Sequence, residues 1–341
     1  MECPTKRVVI IILNWNKGQD TIECLHSVYR MNYTNFNVLV IDNASTDKSF
    51  QQITSEFPDL WLVKNEMNTG FTGGNNQGID IALSDGADYV WLLNNDTVVE
   101  VDTLSKLVDV AEQSENVGMV SPAIYYYDHP DKYQFIGSVV DWTQLSVNTP
   151  DNENEIEEFT DGANVCLWGT ALLIKRELID CIGLLNEDYF AYYEDTEYSL
   201  RSIKNGFVNK LTLNTKIYHK SLPPTEGTGV RSAYFYYYMI RNRYFMWSSL
   251  VDKRKDVIEM LFRYALAYAE KLKKSGFKDH SHDCIEALFD ALSRKKGKKP
   301  VNRRIPRWLV NILTWHPYLF LNIFFLNIKG VRNQILRKVG H

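Results

Sequence analysis

The sequence predicts an α/β protein, a mainly parallel sheet covered by helices and followed by a helical extension. Three observations carry this. The first 125 residues alternate short β-branched apolar runs with amphipathic stretches, the runs are apolar on both faces, and the pattern from residue 233 onward is helical. At 341 residues with 45% apolar content, the chain can bury one large domain and a smaller appendage. We expect the first over 1–250 and a basic helical region over 251–341.

In chain order, strands are expected at 7–13, 36–42, 60–64, 89–94 and 117–124, with helices at 19–29, 46–57, 75–84 and 102–113. Ser45 and Thr46 offer capping chemistry to the second helix, and Asp102 and Thr103 to the fourth. Residues 128–165 are rich in Asp, Asn, Glu and Pro, and read as a polar excursion with short strands near 135–140 and 145–147. Order returns at 165–174, followed by helices near 175–181 and 196–205 and a strand pair at 208–213 and 216–219. Helices at 257–272 and 282–292 come after the aromatic run Tyr234-Phe235-Tyr236-Tyr237-Tyr238.

The five cysteines are widely spaced, without Cys-x-x-Cys, so neither a disulfide framework nor a zinc knuckle is indicated and a cytoplasmic setting fits. The N-terminal apolar run is too short for a signal segment. The net charge of −4 hides an asymmetry: residues 251–341 carry 20 basic against 8 acidic side chains. Such an end suits a polyanion or an anionic membrane surface, and no nucleic-acid module accompanies it. The stretch 308–328 lacks charged side chains but is divided by Pro317. It reads as interfacial helices, as packing onto protein, or as a span.

In an open parallel sheet the ligand crevice lies beyond the carboxyl ends of the strands. Three expected strands end in polar residues there: Asn14-Trp15-Asn16, Asp42-Asn43-Ala44-Ser45-Thr46-Asp47, and Asn94-Asn95-Asp96-Thr97. Acidic and amide groups gathered at one edge suit a ribose, a base edge and a divalent cation. Residues 68–78 hold the glycines Gly70, Gly73, Gly74 and Gly78, a loop that could bring backbone close to an anion or simply cap a helix. It lacks a Walker lysine and comes after the third strand, which excludes P-loop and dinucleotide readings.

Together with Tyr193-Glu194-Asp195-Thr196-Glu197-Tyr198-Ser199-Leu200-Arg201, these motifs resemble the family 2 inverting glycosyltransferases of the GT-A nucleotide-sugar fold, most of all rhamnosyltransferase-like members. The likeness rests on Leu13 to Asn16, Val40 to Asp47, Asn68 to Phe71 with Gly73 to Gly78, and Leu93 to Thr97, and extends to Arg243.

The resemblance implies a UDP-, dTDP- or GDP-linked sugar donor and a glycan or lipid-linked acceptor at the inner face of the cell membrane. It implies donor contacts from Asn14, Asn16, Asp42, Asn43, Gly70, Asn75, Asn94, Asn95, Asp96 and Arg241, with Arg243 nearby. It implies Mg²⁺ or Mn²⁺ held by Asp96 and His219, Asn94 standing where the family's metal loop carries its first carboxylate. Asp195 is implied as general base, Glu194 as orienting the acceptor or interacting with that base, and Trp168 and Gly169 as lining for the acceptor. The Gln-x-x-Arg-Trp motif of processive synthases is missing, so one sugar per binding event is expected. The alternatives are a non-catalytic sugar-nucleotide or carbohydrate-binding protein, and a sugar nucleotidyltransferase. The latter class usually carries a Gly-rich basic signature directly after its first strand, a place taken here by Asn14-Trp15-Asn16-Lys17-Gly18.

Overall fold

The computed structural model describes residues 5–150, 165–220, 230–302 and 305–315. The elements in chain order are β1 Val8–Asn14, α1 Gly18–Val28, β2 Phe36–Asp42, α2 Ser49–Glu56, β3 Trp61–Lys64, α3 Gly70–Ser84, β4 Tyr89–Asn94, β5 Thr97–Val99 and α4 Thr103–Ala111. They continue with β6 Val117–Tyr126, β7 Tyr133–Phe135, β8 Ser138–Asp141, β9 Ser146–Asn148, β10 Val165–Cys166, β11 Ala171–Lys175, α5 Arg176–Ile182, a 3₁₀ turn Glu187–Tyr189, α6 Glu194–Lys204 and β12 Val208–His219. The last helices are α7 Ala233–Leu250, α8 Arg254–Lys274, α9 Lys278–Leu292 and α10 Arg307–Trp315.

The described residues form two compact units. One holds the residues up to Glu187 with those from Glu194 to Lys220; the other holds Asp188–Tyr193 and the residues from Val230. The division therefore falls ahead of the expected 250, because α7 packs with α8 and α9.

In the first unit the main sheet is ordered β3-β2-β1-β4-β11-β6-β12-β5, with β7 on β6. The strands β3, β2, β1 and β4 are parallel, β11 is antiparallel to both β4 and β6, and β12 is parallel to β6. One sheet edge therefore collects the carboxyl ends of β1, β2, β4, β6 and β12 with the amino end of β11. Val8 to Ile12 and Val38 to Ile41 are buried on both faces, in separate clusters above and below the sheet, as the doubly apolar runs require.

Three local expectations change. Residues 208–219 form one strand, not two, with a register shift between Thr212 and Lys216 that leaves residues 213–215 bulged out of the pairing with β6. No side chain caps α2 as Ser45 or Thr46 was expected to: Lys48 is the cap position, and Asp47 Oδ1 accepts from the Ser49 amide at 2.9 Å. Asp102 likewise makes no cap hydrogen bond at α4. The glycine-rich stretch is the first half of α3, not a loop. A Cβ on Gly78 would stand 2.6 Å from Ile11 Cγ2, and one on Gly74 would collide with Leu13. These glycines let a helix lie against β1, and packing overrides their poor helix propensity.

Candidate active site

Asp96 lies just past β4, and β12 pairs with β5 so that His219 faces Thr97, one residue away. His219 Nε2 lies 3.0 Å from Asp96 Oδ1, and its Nδ1 lies 2.7 Å from Gln134 Oε1 on β7. The Lys220 amide donates to the Asp96 carbonyl at 3.0 Å, fixing the loop from the same side. Lys17 Nζ is 3.7 Å from Asp96 Oδ2. Burial alone would raise the Asp96 carboxyl, but the hydrogen bond and charge of His219, joined by Lys17, outweigh it and hold the group below its ordinary 3.8.

This donor set fits a hard divalent cation. A carboxylate oxygen and an imidazole nitrogen stand side by side, and the far imidazole nitrogen is anchored by Gln134, as metal-ligating histidines are. Among the described residues no group of three or more His, Cys, Asp or Glu could hold a metal unaided. Two protein ligands leave the remaining positions to water and phosphate oxygens, a division of labour suited to Mg²⁺.

Asp195 reaches the same edge through two backbone contacts. Its Oδ2 accepts from the Gly169 amide at 3.0 Å, and the next residue, Thr170, accepts at its carbonyl from the Asn94 amide at 2.9 Å. Asn94 closes β4, two residues before Asp96. Asp195 Oδ1 accepts from the Thr196 amide at 2.6 Å and from Thr196 Oγ1 at 3.2 Å. Burial raises the Asp195 carboxyl above 3.8, and the Gly169 and Thr196 donors offset this only in part. Glu194 is 5% exposed and its Oε2 has no hydrogen-bond partner. Burial first, then the neighbouring Asp195 charge, pushes it well above 4.5. Gly169 is tightly boxed: a Cβ there would meet Phe71 Cζ at 2.9 Å and Asp195 Cβ at 3.7 Å.

The turns after β1 and β2 are stitched together. Asn14 Nδ2 donates to Asp42 Oδ2 at 2.7 Å and Ser45 Oγ at 3.0 Å, and Thr21 Oγ1 donates to Asn14 Oδ1 at 2.7 Å. The Ser45 amide donates to Asp42 Oδ1 at 3.1 Å, and Asn16 Oδ1 accepts from the Thr46 amide at 2.9 Å. Asn16, Lys17 and Ala44 sit at positive φ, a conformation that Asn tolerates but that Lys and Ala disfavour, so the surrounding bonds must hold these turns. Asn43 donates to the Gly70 carbonyl at 3.0 Å and accepts from the Thr69 amide at 3.1 Å; the Gly70 amide is itself taken by Asn68 Oδ1 at 2.8 Å. Asn95 Nδ2 donates to Thr21 Oγ1 at 3.0 Å.

Several expected contacts are corrected. Asn14, Asp42 and Asn43 are 0%, 0% and 1% exposed, and their hydrogen bonds frame the turns at this edge. Asn75 is buried and donates to the Phe71 carbonyl of its own helix at 2.9 Å. Trp168 stacks on Phe135, centroids 4.1 Å apart, and packs on the core, which accounts for the ring without a sugar. Arg241 belongs to the helical unit and is 0% exposed. Its guanidinium donates to Asn242 Oδ1 (2.9 Å) and to the carbonyls of Gly297 (2.7 Å), Tyr189 (2.9 Å) and Asp188 (3.2 Å), so its buried donors are mostly spent on the protein's own oxygens. Arg243 likewise lies over the Tyr264 ring at 4.3 Å.

Arg241 and its neighbour Asn242 instead hold the segment that runs into Glu194. Asn242 Nδ2 donates to the carbonyls of Tyr189, Ala191 and Tyr192 at 3.0, 2.8 and 2.8 Å. Phe190, Tyr192 and Tyr193 there all have positive φ, a strain that persists only where surrounding bonds over-determine it. Asn242, Gln134 and Lys17 are the residues that sequence reasoning missed; only Lys17, next to Asn14-Trp15-Asn16, had a local signal.

An α/β sheet with acid and amide groups at one edge, the Asp96–His219 pair and the buried Glu194–Asp195 pair suits a nucleotide-sugar-dependent transferase. Residues 9–183 match the family model described as Glycosyl transferase family 2, and the chain belongs to that family. It is similar to the low-salt glycan biosynthesis hexosyltransferase Agl10 of Haloferax volcanii, 25% identical over 83% of this chain and 89% of that one. It is also similar to the dTDP-rhamnosyl transferase RfbF of Shigella flexneri, 19% identical over 80% and 92%. Among solved structures, the mannosyltransferase PcManGT of Pyrobaculum calidifontis in complex with GDP-Man and Mn²⁺ superposes with TM-score 0.56 at 16% identity, covering 85% of this chain and 88% of that one. The fold is GT-A and the protein is a glycosyltransferase that uses a nucleotide sugar.

Proposed function

We propose that this enzyme is an inverting, metal-dependent, non-processive glycosyltransferase. It moves one sugar, rhamnose or a related hexose, from a UDP-, dTDP- or GDP-linked donor to a glycan or lipid-linked acceptor of the cell envelope. The observation that supports it most is the short bonded path from Asp195 through Gly169, Thr170 and Asn94 to the Asp96 loop. In an inverting transfer the acceptor oxygen attacks the anomeric carbon opposite the leaving diphosphate, so the base and the diphosphate-binding group must share one edge.

Asp195 takes the acceptor hydroxyl proton at its carboxylate, and burial, by raising its proton affinity above the ordinary carboxylate value, favours that transfer. The Gly169 and Thr196 amides keep the carboxylate oriented meanwhile. Burial and the Asp195 charge push the Glu194 carboxyl well above 4.5, which lessens the second negative charge beside an attacking oxygen. Asp96 and His219 would hold Mg²⁺ or Mn²⁺, which when bound supplies positive charge to the departing diphosphate. Lys17 brings a further positive charge to the same place. The solved relative bound to GDP-Man and Mn²⁺ supports this donor class and cation. The basic character of 251–341 supports a peripheral seat on the cytoplasmic membrane face. Among the described residues no helix is long and apolar enough to cross a membrane.

The test is a donor screen with Mn²⁺, with and without lipid-linked acceptor, read as nucleoside diphosphate release. Release from one of the three donor classes, abolished by Asp195→Asn, is expected. Silence across all of them would remove the reading.

A further inference from the structure

We infer that the helical unit carries a second ligand site, a pocket for a phosphate-type anion at the start of α9. A cavity of about 580 Å³ lies there, its walls including Lys273 from α8, Lys278, Ser281 and His282 from α9, and Arg307 and Asn311 from α10. Three independent features favour an anion. Lys273, Lys278 and Arg307 outnumber the one acidic wall residue, Asp279. The 15-residue helix α9 begins after Phe277 with no side-chain cap, so although the Lys278 amide donates to the Gly276 carbonyl at 3.0 Å, no cap side chain offsets the positive end of its dipole.

The third feature is unmet hydrogen bonding inside the wall. Ser281 and His282 are 2% and 4% exposed, and neither Ser281 Oγ nor His282 Nε2 has a hydrogen-bond partner; Glu286 Oε1 stands 3.6 Å from the imidazole. Buried polar atoms are normally paired, so unpaired ones beside a cavity mark where a ligand or ion would complete them. Lys273 Nζ already donates to Asn311 Oδ1 at 3.4 Å, whereas a tetrahedral oxyanion can accept from the Ser281 hydroxyl, the Lys278 ammonium and the Arg307 guanidinium at once, which a neutral sugar matches less well. The oxyanion could come from a lipid headgroup or from free phosphate. The inference does not rest on the transferase reading, since every residue in it belongs to the second unit.

The full chain decides it. Inorganic phosphate binding would be followed by calorimetry, and co-sedimentation with phosphatidylglycerol-containing vesicles compared with phosphatidylcholine vesicles. Wild type is expected to bind at least one anionic probe, and Lys278→Gln with Arg307→Gln to weaken that binding by about 10-fold without loss of donor hydrolysis. Vesicle binding without phosphate binding supports a lipid headgroup; the converse supports a soluble phosphate. Should the double variant fail to fold, Ser281→Ala carries the same comparison and is expected to weaken binding. If neither probe binds, or if the folded variants bind as wild type does, the pocket is not an anion site.

Discussion

The Gly169 amide donates to Asp195 Oδ2 at 3.0 Å, and this bond ties the proposed base to the residue that precedes Thr170 and the β11 strand. Asp195→Asn should keep the fold and lower turnover by about 10²-fold or more, because an amide cannot take the proton. Gly169→Ala should also lower kcat, by about 10²-fold, because its methyl displaces Phe71 and with it the donor to Asp195. Steady-state rates beside thermal unfolding curves check both. A Gly169→Ala enzyme with parental kcat would mean that this bond does not position the base.

Gln134 accepts from His219 Nδ1 and so sets which imidazole nitrogen faces Asp96. Gln134→Leu should raise the half-saturating Mn²⁺ concentration by about 10-fold or more while leaving kcat at saturating metal nearly intact. Chelation followed by Mn²⁺ titration measures this. An unchanged titration curve would argue against His219 as a ligand.

Glu194 gives a pH signature in stability. Its carboxyl is raised well above 4.5 in the folded protein. Between the unfolded and folded values the native state therefore holds more protons than the unfolded one, and stability falls as pH rises through that window. Glu194→Gln removes the titration, so its melting temperature relative to wild type should climb as pH rises from 4.5 upward. A pH-independent difference would show that Glu194 does not stay protonated. Asp195 is also raised, so the acidic limb of kcat/KM should lie above 3.8.

Asn242 restrains three carbonyls in the strained run that leads to Glu194. Asn242→Ala should destabilise the protein by about 1–3 kcal/mol, since it unpairs buried carbonyls. If the restraint also orients the base, kcat should fall more than KM changes. Denaturant unfolding and kinetics on the same preparation separate the two effects.

Much of this was legible in the residues. Strands β2 and β4 begin and end where the β-branched runs meet Asp42-Asn43 and Asn94-Asn95, because a doubly buried strand has a sharp polar boundary. The Asp96 and His219 pairing becomes evident once β5 and β12 are known to be neighbours. The failures were the cases decided across space. Glycines at 70–78 look like a loop locally, yet they lie in a helix that Gly74 and Gly78 allow to pack closely on β1. Arg241 reads as a phosphate contact until three carbonyls are found around it, and Gln134 sits in a polar excursion with nothing to mark it. The tail beyond 315, on which the spanning and interfacial readings turn, lies outside the described residues.

The bare face that α3 turns to β1 also constrains how this enzyme can be altered. With Gly74 and Gly78 seated on Leu13 and Ile11, a single added methyl would wedge the helix off the strand that ends in Asn14. Efforts to change donor preference should leave that seam alone and vary the exposed turn residues, such as Trp15 and Thr46, whose side chains reach solvent.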